Sequence, residues 1–506
     1  MTAKTLTILG TSSSAGKSLL VTALCHSYAR RGVKVAPFKA QNMSNNAAVC
    51  PDGSEIGRAQ AVQAAAAGLE PHVDMNPILI KPEADSRSQV VVNGRPWQTL
   101  DARNYYPNKD YLWAQVTGAL DRLRAEYDLI IVEGAGSPAE LNLKPGDLVN
   151  MAVALYTQSP VLLVGDIDRG GIFAQLLGTY WLLPPEEQEL LKGFIVNKFR
   201  GDITLFEDGI QIIEERSNVP VVGVVPYLHD LFIPEEDAVA LENLTPVQVH
   251  AEGGTDIAVI HLPRIANFDD FDPLLAEPGV RLRYVHTLDQ LGTPDAIIIP
   301  GTKSTVNDLE FLRQRGLDKA IQQHAERGGV VVGICGGYQM LGRAIHDPEG
   351  VESLRAHSTG LGLLPIETTF SGEKATYRAR AKIANTSKPN WLYAVQGQEI
   401  EGYEIHMGRT TGESHWLTVT QRNEQAVQVG DGAFGAQGCV WGCYIHGLFG
   451  NENLRRAWLT SLGWSLPTGS SPQSDPFAAS LTYLTDTVES VLDMAYVEKI
   501  MQNAAI

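Results

Sequence analysis

Two groups of residues have the types and spacing for chemistry. The first is centred on Cys335, in Gly333-Ile334-Cys335-Gly336-Gly337. Three valines, Val330 to Val332, read as a short buried strand before it, and a helical pattern follows over 339–345. A Gly-x-Cys-x-Gly turn between strand and helix holds a thiol out of the chain, and its glycines let neighbouring backbone pass without a Cβ clash. A helix N-terminus favours a thiolate and offers amide N–H groups to an oxyanion. A lone cysteine is more often a buried structural residue; the flanking glycines argue for a nucleophile that attacks a carbonyl. Such a nucleophile needs a base. His446, in Gly442-Cys443-Tyr444-Ile445-His446-Gly447, ends an alternating strand pattern and precedes a glycine turn. His406, in the block 401–408, is the other histidine in a suggestive context, and it reads as shaping the site.

The second group is Gly10-Thr11-Ser12-Ser13-Ser14-Ala15-Gly16-Lys17-Ser18, between a strand at Thr5–Leu9 and a helix. It is a Walker A loop with one extra residue before Gly-Lys-Ser. Small residues from Thr11 to Gly16 let successive N–H groups cradle phosphates, Lys17 would reach the outer phosphates of ATP, and the Ser18 hydroxyl would ligate Mg²⁺. Glu133 ends a buried strand and is followed by glycines, which suits a second Mg²⁺ ligand. Gln41 and Asn45 lie in an amide-rich stretch, 41–46, just past another strand, where open α/β sheets hold their ligands. These two and Asp147 are assigned to the acceptor side. Lys81 and Arg87 are possible anion contacts. Cys439 and Cys443 flank Trp441 on a strand and have no second pair, so a metal site is not expected there.

Strands alternate with helices along the chain, which gives doubly wound parallel sheets. The first half reads as strands at 34–38, 128–132, 160–164, 193–196 and 219–225, with helices at 57–68, 111–126 and 172–183; 74–82 and 89–93 fall between elements. Pro-Glu-Glu-Asp, Thr-Pro and Glu-Gly-Gly then mark a boundary. A second α/β unit has strands at 257–262, 281–285 and 296–299 and one helix over 308–327. The resulting units are 1–235, an ATP-binding unit; 236–255, a linker; and 256–506, which ends in a helical region from Asp475.

At 506 residues, 44% hydrophobic and 19% charged, the chain is a folded protein of more than one domain. A formal net charge of −18 argues against nucleic acid or an anionic membrane as a general partner. The opening residues lead straight into a strand with no signal-peptide core, and no apolar run approaches the ~18 residues that span a bilayer. Five scattered cysteines fit a reducing compartment. A cytoplasmic protein is expected.

The elbow and His446 resemble class I glutamine amidotransferases, and the Walker loop resembles dethiobiotin synthetase and its relatives, which include the MinD/ParA ATPases. The resemblance implies that glutamine is hydrolysed at Cys335 and His446, with oxyanion donors in the region of Gly301 and Gly336. It implies an adenine contact for Asn197. Most class I domains carry a glutamate two residues after the histidine; here that position is Leu448. Cys335 and His446 are therefore expected to act as a dyad, with His446 oriented by a backbone carbonyl or by a group outside the usual position. With the blocks 41–46, 133–140 and 166–171, the chain resembles the cobyric acid synthase family along nearly its whole length. That implies ATP- and glutamine-dependent amidation of a corrinoid, at the b, d, e and g side chains of adenosylcobyrinic acid a,c-diamide. The alternatives are a cobyrinic acid a,c-diamide synthase, against which the blocks 41–46 and 166–171 argue, and a MinD/ParA-like switch ATPase, against which the cysteine elbow argues.

Overall fold

The computed structural model describes residues 2–84, 87–229, 231–234, 254–384, 390–412, 415–435, 437–467 and 475–503. The first unit is built on a six-stranded sheet: β1 (Lys4–Gly10), β2 (Val35–Phe38), β3 (Leu129–Glu133), β4 (Val161–Asp166), β5 (Leu191–Phe199) and β6 (Val221–Pro226). The order is β6-β5-β4-β1-β3-β2, and every pair is parallel. Helices cover both faces, so the strands are continuous apolar runs such as Leu-Ile-Ile-Val in β3, and all of β3 is buried. Helix α1 (Lys17–Arg30) follows the Walker loop, and α2 (Arg58–Ala66) follows the amide-rich stretch.

Two stretches expected between elements are strands. Ile78–Ala84 and Arg87–Val92 join Gln41–Met43 and Arg95–Leu100 in a four-stranded sheet. Pro82 lies within the first of them. Gln41–Met43 pairs only with Ile78, Leu79 and Ile80, so the N–H that Pro82 lacks has no ladder partner on that edge.

The second unit has β7 (Thr255–Ile260), β8 (Val280–Val285), β9 (Ala296–Ile299), β10 (Val330–Ile334), a long hairpin of β11 (Ile366–Ile383) and β12 (Glu399–Gly412), and then β13 (Ala433–Phe434) and β14 (Val440–Cys443). Its main sheet has the order β8-β7-β9-β10-β14-β13 and is parallel except for the β13–β14 edge pair. The helix expected over 308–327 is two, α3 (Thr305–Gln314) and α4 (Leu317–Glu326), broken at Gly316, whose φ of 69° suits a residue without Cβ. The helix after the elbow, α5 (Gly336–Leu341), is shorter than expected, because residues 344–346 turn to pair with β11.

The linker expected at 236–255 lies outside the described residues except for its last two. The C-terminal helical region is α6 (Pro476–Val491) and α7 (Met494–Asn503). Expected as the end of the second unit, it packs on the first. Leu484, Val488, Leu492 and Val497 share a core with Leu20 and Leu24 of α1. Ser27 donates to Glu489, and Arg30 pairs with Asp486 at 2.6 Å. The amphipathic period fixes that these helices bury one face, but not against what. Elsewhere the units meet over buried charge. Glu55 of the first lies between its own Lys81 and Lys374 of β11, at 2.5 Å from each. Burial pushes the Glu55 carboxyl up, but the two lysines outweigh it and hold it at about 2.

Candidate active site

The carboxyl ends of β7, β9, β10 and β14 carry one cluster. β10 and β14 are parallel neighbours with Ile334 beside Cys443. The elbow follows the first, and His446 lies just past the second, so topology alone brings the two together. Cys335 takes φ 50° and ψ −107°, and its N–H donates to Cys443 O at 2.9 Å. A positive φ on a cysteine costs about 1–3 kcal/mol, and it is met where a nucleophile must be held out of a strand. A Cβ on Gly337 would stand 1.9 Å from Ile299 O, so the entry into α5 requires glycine.

The Cys335 thiol is buried, with Sγ donating to Ile405 O at 3.5 Å, and it lies close enough to His446 to help raise the imidazole. On the far side of the ring, His446 Nδ1 lies 2.6 Å from Asp270 Oδ2, while Asp270 Oδ1 accepts from the Gly447 N–H at 2.7 Å. Of the two orienting groups expected for His446, it is the one outside the usual position, the Asp270 carboxylate, and not a backbone carbonyl, that faces Nδ1. Burial pulls the imidazole down, but Asp270 and Cys335 outweigh it and raise it from 6.5 to about 10. Asp270 comes from the turn after β7, far from His446 in sequence. Leu448, at the usual position of the acid, is 1% exposed within the core. The missed signal was Asp269-Asp270 between two phenylalanines, just past the first strand of the unit.

Around this pair, a Cβ on Gly301 would lie 2.8 Å from the His446 ring, and one on Gly336 would lie 3.1 Å from the Thr302 N. The Gly301–Thr302 turn is held by Ala266 N–H donating to Gly301 O, and by the Thr302 hydroxyl, which bonds Arg264 O at 2.9 Å and Asp308. Burial raises the Asp308 carboxyl to about 7 against the opposing Thr302 bond. His406 is elsewhere engaged: Nδ1 donates to Gly408 O at 2.8 Å, and its ring stacks on Tyr444.

The carboxyl ends of β1 to β5 carry a second cluster. Ser18 Oγ donates to Glu133 Oε1 at 2.9 Å. Lys39, past β2, donates to the same oxygen at 2.9 Å, and Gln63 of α2 donates to Oε2 at 2.5 Å. Lys17 Nζ lies on the loop, bonded to Ser12 O at 2.9 Å and Gly136 O at 3.3 Å. Gly16 and Gly136 have left-handed backbones, and nothing stands within 4 Å of where a Gly136 Cβ would be. An open, glycine-lined cradle fits phosphates. A hydroxyl and a carboxylate in contact are hard oxygen donors of the kind Mg²⁺ takes. Thr11 Oγ1 donates to Gln175, and Lys198, near the end of β5, bonds Ser14 O and Asp166. Lys39, Gln63 and Lys198 had no assigned role in the sequence reading.

Four further residues are placed as follows. Asn197 braces the loop, with Nδ2 donating to Ala15 O at 2.8 Å and Oδ1 accepting from Lys198 N. Gln41 accepts from the Tyr105 hydroxyl, and Asn45 Oδ1 is buried with no hydrogen-bond partner. Asp147 accepts the N–H groups of Val149, Asn150 and Ala152, which fixes the turn that leads into the helix at Met151–Thr157.

A nucleophilic elbow in one α/β unit and a phosphate loop in the other are the two halves of a glutamine-dependent amidating ligase. Residues 256–454 match the CobB/CobQ-like glutamine amidotransferase domain, and residues 6–239 match the CobQ/CobB/MinD/ParA nucleotide binding domain. The cobyric acid synthase of Roseiflexus castenholzii is 57% identical over 94% of this chain and 95% of its own length. Those of Chloroflexus aurantiacus and Chloroflexus aggregans are 54% and 55% identical over 99% and 98% of this chain and 100% and 99% of theirs. The chain belongs to the cobyric acid synthase family of cobalamin biosynthesis. Among the described residues, no helix is long and apolar enough to cross a membrane.

Asp270→Asn is expected to lower the turnover of glutamine hydrolysis roughly 10²-fold, since an amide can orient the ring in the wrong tautomer and removes the facing charge. The sign of the pH effect follows. With a folded value of about 10 against 6.5, His446 stabilises the fold fully below pH 6.5 and loses that contribution as pH rises through about 10. Denaturant titrations at several pH values check this. The wild-type advantage over Asp270→Asn should shrink between those limits, and an unchanged advantage would count against it.

Proposed function

We propose that the chain makes adenosylcobyric acid by amidating the b, d, e and g carboxylates of adenosylcobyrinic acid a,c-diamide, with nitrogen from glutamine. The observation that carries the reading is the Cys335–His446–Asp270 cluster in the same chain as the Ser18–Glu133 loop site. Cys335 attacks the glutamine side-chain amide carbon. Amides of Gly336 and the Gly301–Thr302 turn hold the oxyanion, and His446, oriented by Asp270, gives a proton to the departing ammonia. Water then releases glutamate from the thioester, with His446 as base.

In the other unit, Lys17 and the loop amides would hold the phosphates of ATP, and Ser18 and Glu133 would hold Mg²⁺. When bound, these supply the phosphoryl group that turns a substrate carboxylate into an acyl phosphate, from which ammonia displaces phosphate to leave the amide. Lys39 and Gln63 fix the Glu133 carboxylate; Asn45, with its unpaired buried oxygen, is a residue for the acceptor. The test is to offer each partially amidated corrinoid with ATP, Mg²⁺ and glutamine and to read the products by mass spectrometry. Amidation at b, d, e and g is expected. Amidation at a and c instead would make this the related diamide synthase.

A further inference from the structure

The glutaminase cluster does not stand on its own unit alone. Helix α2 belongs to the ATP-binding unit, yet its first residue, Arg58, reaches the turn and strand that hold His446 and Asp270. Arg58 Nε lies 3.0 Å from Asp269 Oδ2, and Nη2 donates to the Tyr403 hydroxyl at 2.5 Å. The guanidinium also sits 5.2 Å from the Tyr403 ring centre. Both partners adjoin the cluster. Asp269 precedes Asp270 directly. Tyr403 exchanges backbone hydrogen bonds with His446, at 2.8 and 3.1 Å, and its ring lies nearly parallel to the imidazole, 5.1 Å away at 16°. One cation thus fixes both neighbours of the base and its orienting acid.

The turn that carries Asp270 is docked on the same unit by a second device. Asn267 N–H donates to Asn46 Oδ1 at 2.7 Å, and Asn267 Oδ1 accepts from Ala47 N at 2.9 Å. Asn46 O in turn accepts from the Arg58 N–H at 3.1 Å. So Asn46, at the end of the amide-rich stretch, holds the glutaminase turn.

The other working residue of α2 faces the phosphate site. Gln63 is five residues on, roughly 7.5 Å along the axis and about 140° around it, which lets one helix serve two sites. Gln63 holds Glu133, the carboxylate that contacts Ser18. Between them Gln60 is fully buried and accepts from Asn42 at 2.9 Å, so the helix is held by side-chain bonds along its length and has little freedom to move at one end alone.

We propose that Arg58 is a positioning residue for glutamine hydrolysis, supplied by the ATP-binding unit, and that through α2 it makes the rate of hydrolysis answer to the occupancy of the phosphate site. This rests on the reading of Cys335 and His446 as the glutaminase. Arg58 acts through Asp269 and Tyr403; it sets the place of the ring and carboxylate that do the work, and small displacements of such groups cost up to about 10²-fold.

The test uses the full chain. Glutamate release is measured for wild type, Arg58→Ala and Arg58→Lys, with and without Mg²⁺–ATP, alongside synthesis from ammonium chloride. Wild-type hydrolysis should change several-fold with Mg²⁺–ATP. Arg58→Ala should lose at least about tenfold in kcat with KM for glutamine within about threefold, lose the response to nucleotide, and keep ammonia-driven synthesis. Arg58→Lys keeps the charge beside Asp269 and should recover part of the rate. The inference is overturned if Arg58→Ala hydrolyses glutamine as wild type does, if the nucleotide response persists in it, or if ammonia-driven synthesis falls in step, which would mean a merely structural seam. If wild type and Cys335→Ala hydrolyse glutamine equally, the glutaminase reading itself fails and takes the inference with it.

Discussion

Cys335→Ala is expected to lower glutamine-dependent synthesis by more than about 10³-fold and to leave synthesis from ammonium salts near the wild-type rate. The sulfur supplies the only covalent step of nitrogen release, and nothing else in the cluster can replace it. Cys443, the nearest other thiol, is fully buried with its Sγ directed at Ile445 O, and burial drives its ionisation well above the usual thiol range. Alanine keeps the backbone of the elbow, because the positive φ strains alanine no more than cysteine. The phosphate loop lies in the other unit, so its chemistry is untouched. Raising the pH increases the free ammonia available to the variant and should raise its rate. The measurement is amide product by mass spectrometry with each nitrogen source, after circular dichroism has shown equal folding. Loss of both activities in a folded variant would sink the separation of the two sites.

Lys17→Ala is expected to remove synthesis with either nitrogen source, by roughly 10²-fold or more, since one fixed donor to developing charge is worth that much. Lys17 is 7% exposed, and its ammonium rests on two carbonyls of the glycine-lined cradle, Ser12 O and Gly136 O. A lysine held there is a point charge for phosphate oxygens. Lys39 cannot stand in, because it is committed to the Glu133 carboxylate, nor can Lys198, which is bonded to Ser14 O and Asp166. Glutamine hydrolysis without nucleotide should survive the change, since no residue of the Cys335 cluster touches Lys17. Phosphate release and ammonia-driven amidation are the measurements. Substantial ammonia-driven synthesis by this variant would show that the ATP site lies elsewhere.

Much of this was legible in the chain. Local patterns fix local structure: buried valines before Gly333 make β10, and small residues before Lys17 make a loop that a helix must follow. Both phosphate and thiol chemistry are carried by short contiguous motifs, so their residue types and spacing show in one dimension. The same holds for Ser18 and Glu133, each marked by its place at the end of an element.

What the sequence could not determine depends on which elements become neighbours. Asp270 reaches His446 Nδ1 because the turn after β7 faces the end of β14, a consequence of strand order and not of spacing. The helices α6 and α7 return to α1, since an amphipathic face says only that it will be buried. The bonds of Asp147 to the turn before a helix and of Asn197 to the phosphate loop form only once those segments are folded beside them. Arg58 reads in sequence as the start of an ordinary alanine-rich helix. Only docking of the two units puts its charge against Asp269 and Tyr403, because long-range ion pairs form where packing brings two buried groups together, and no local pattern encodes that meeting.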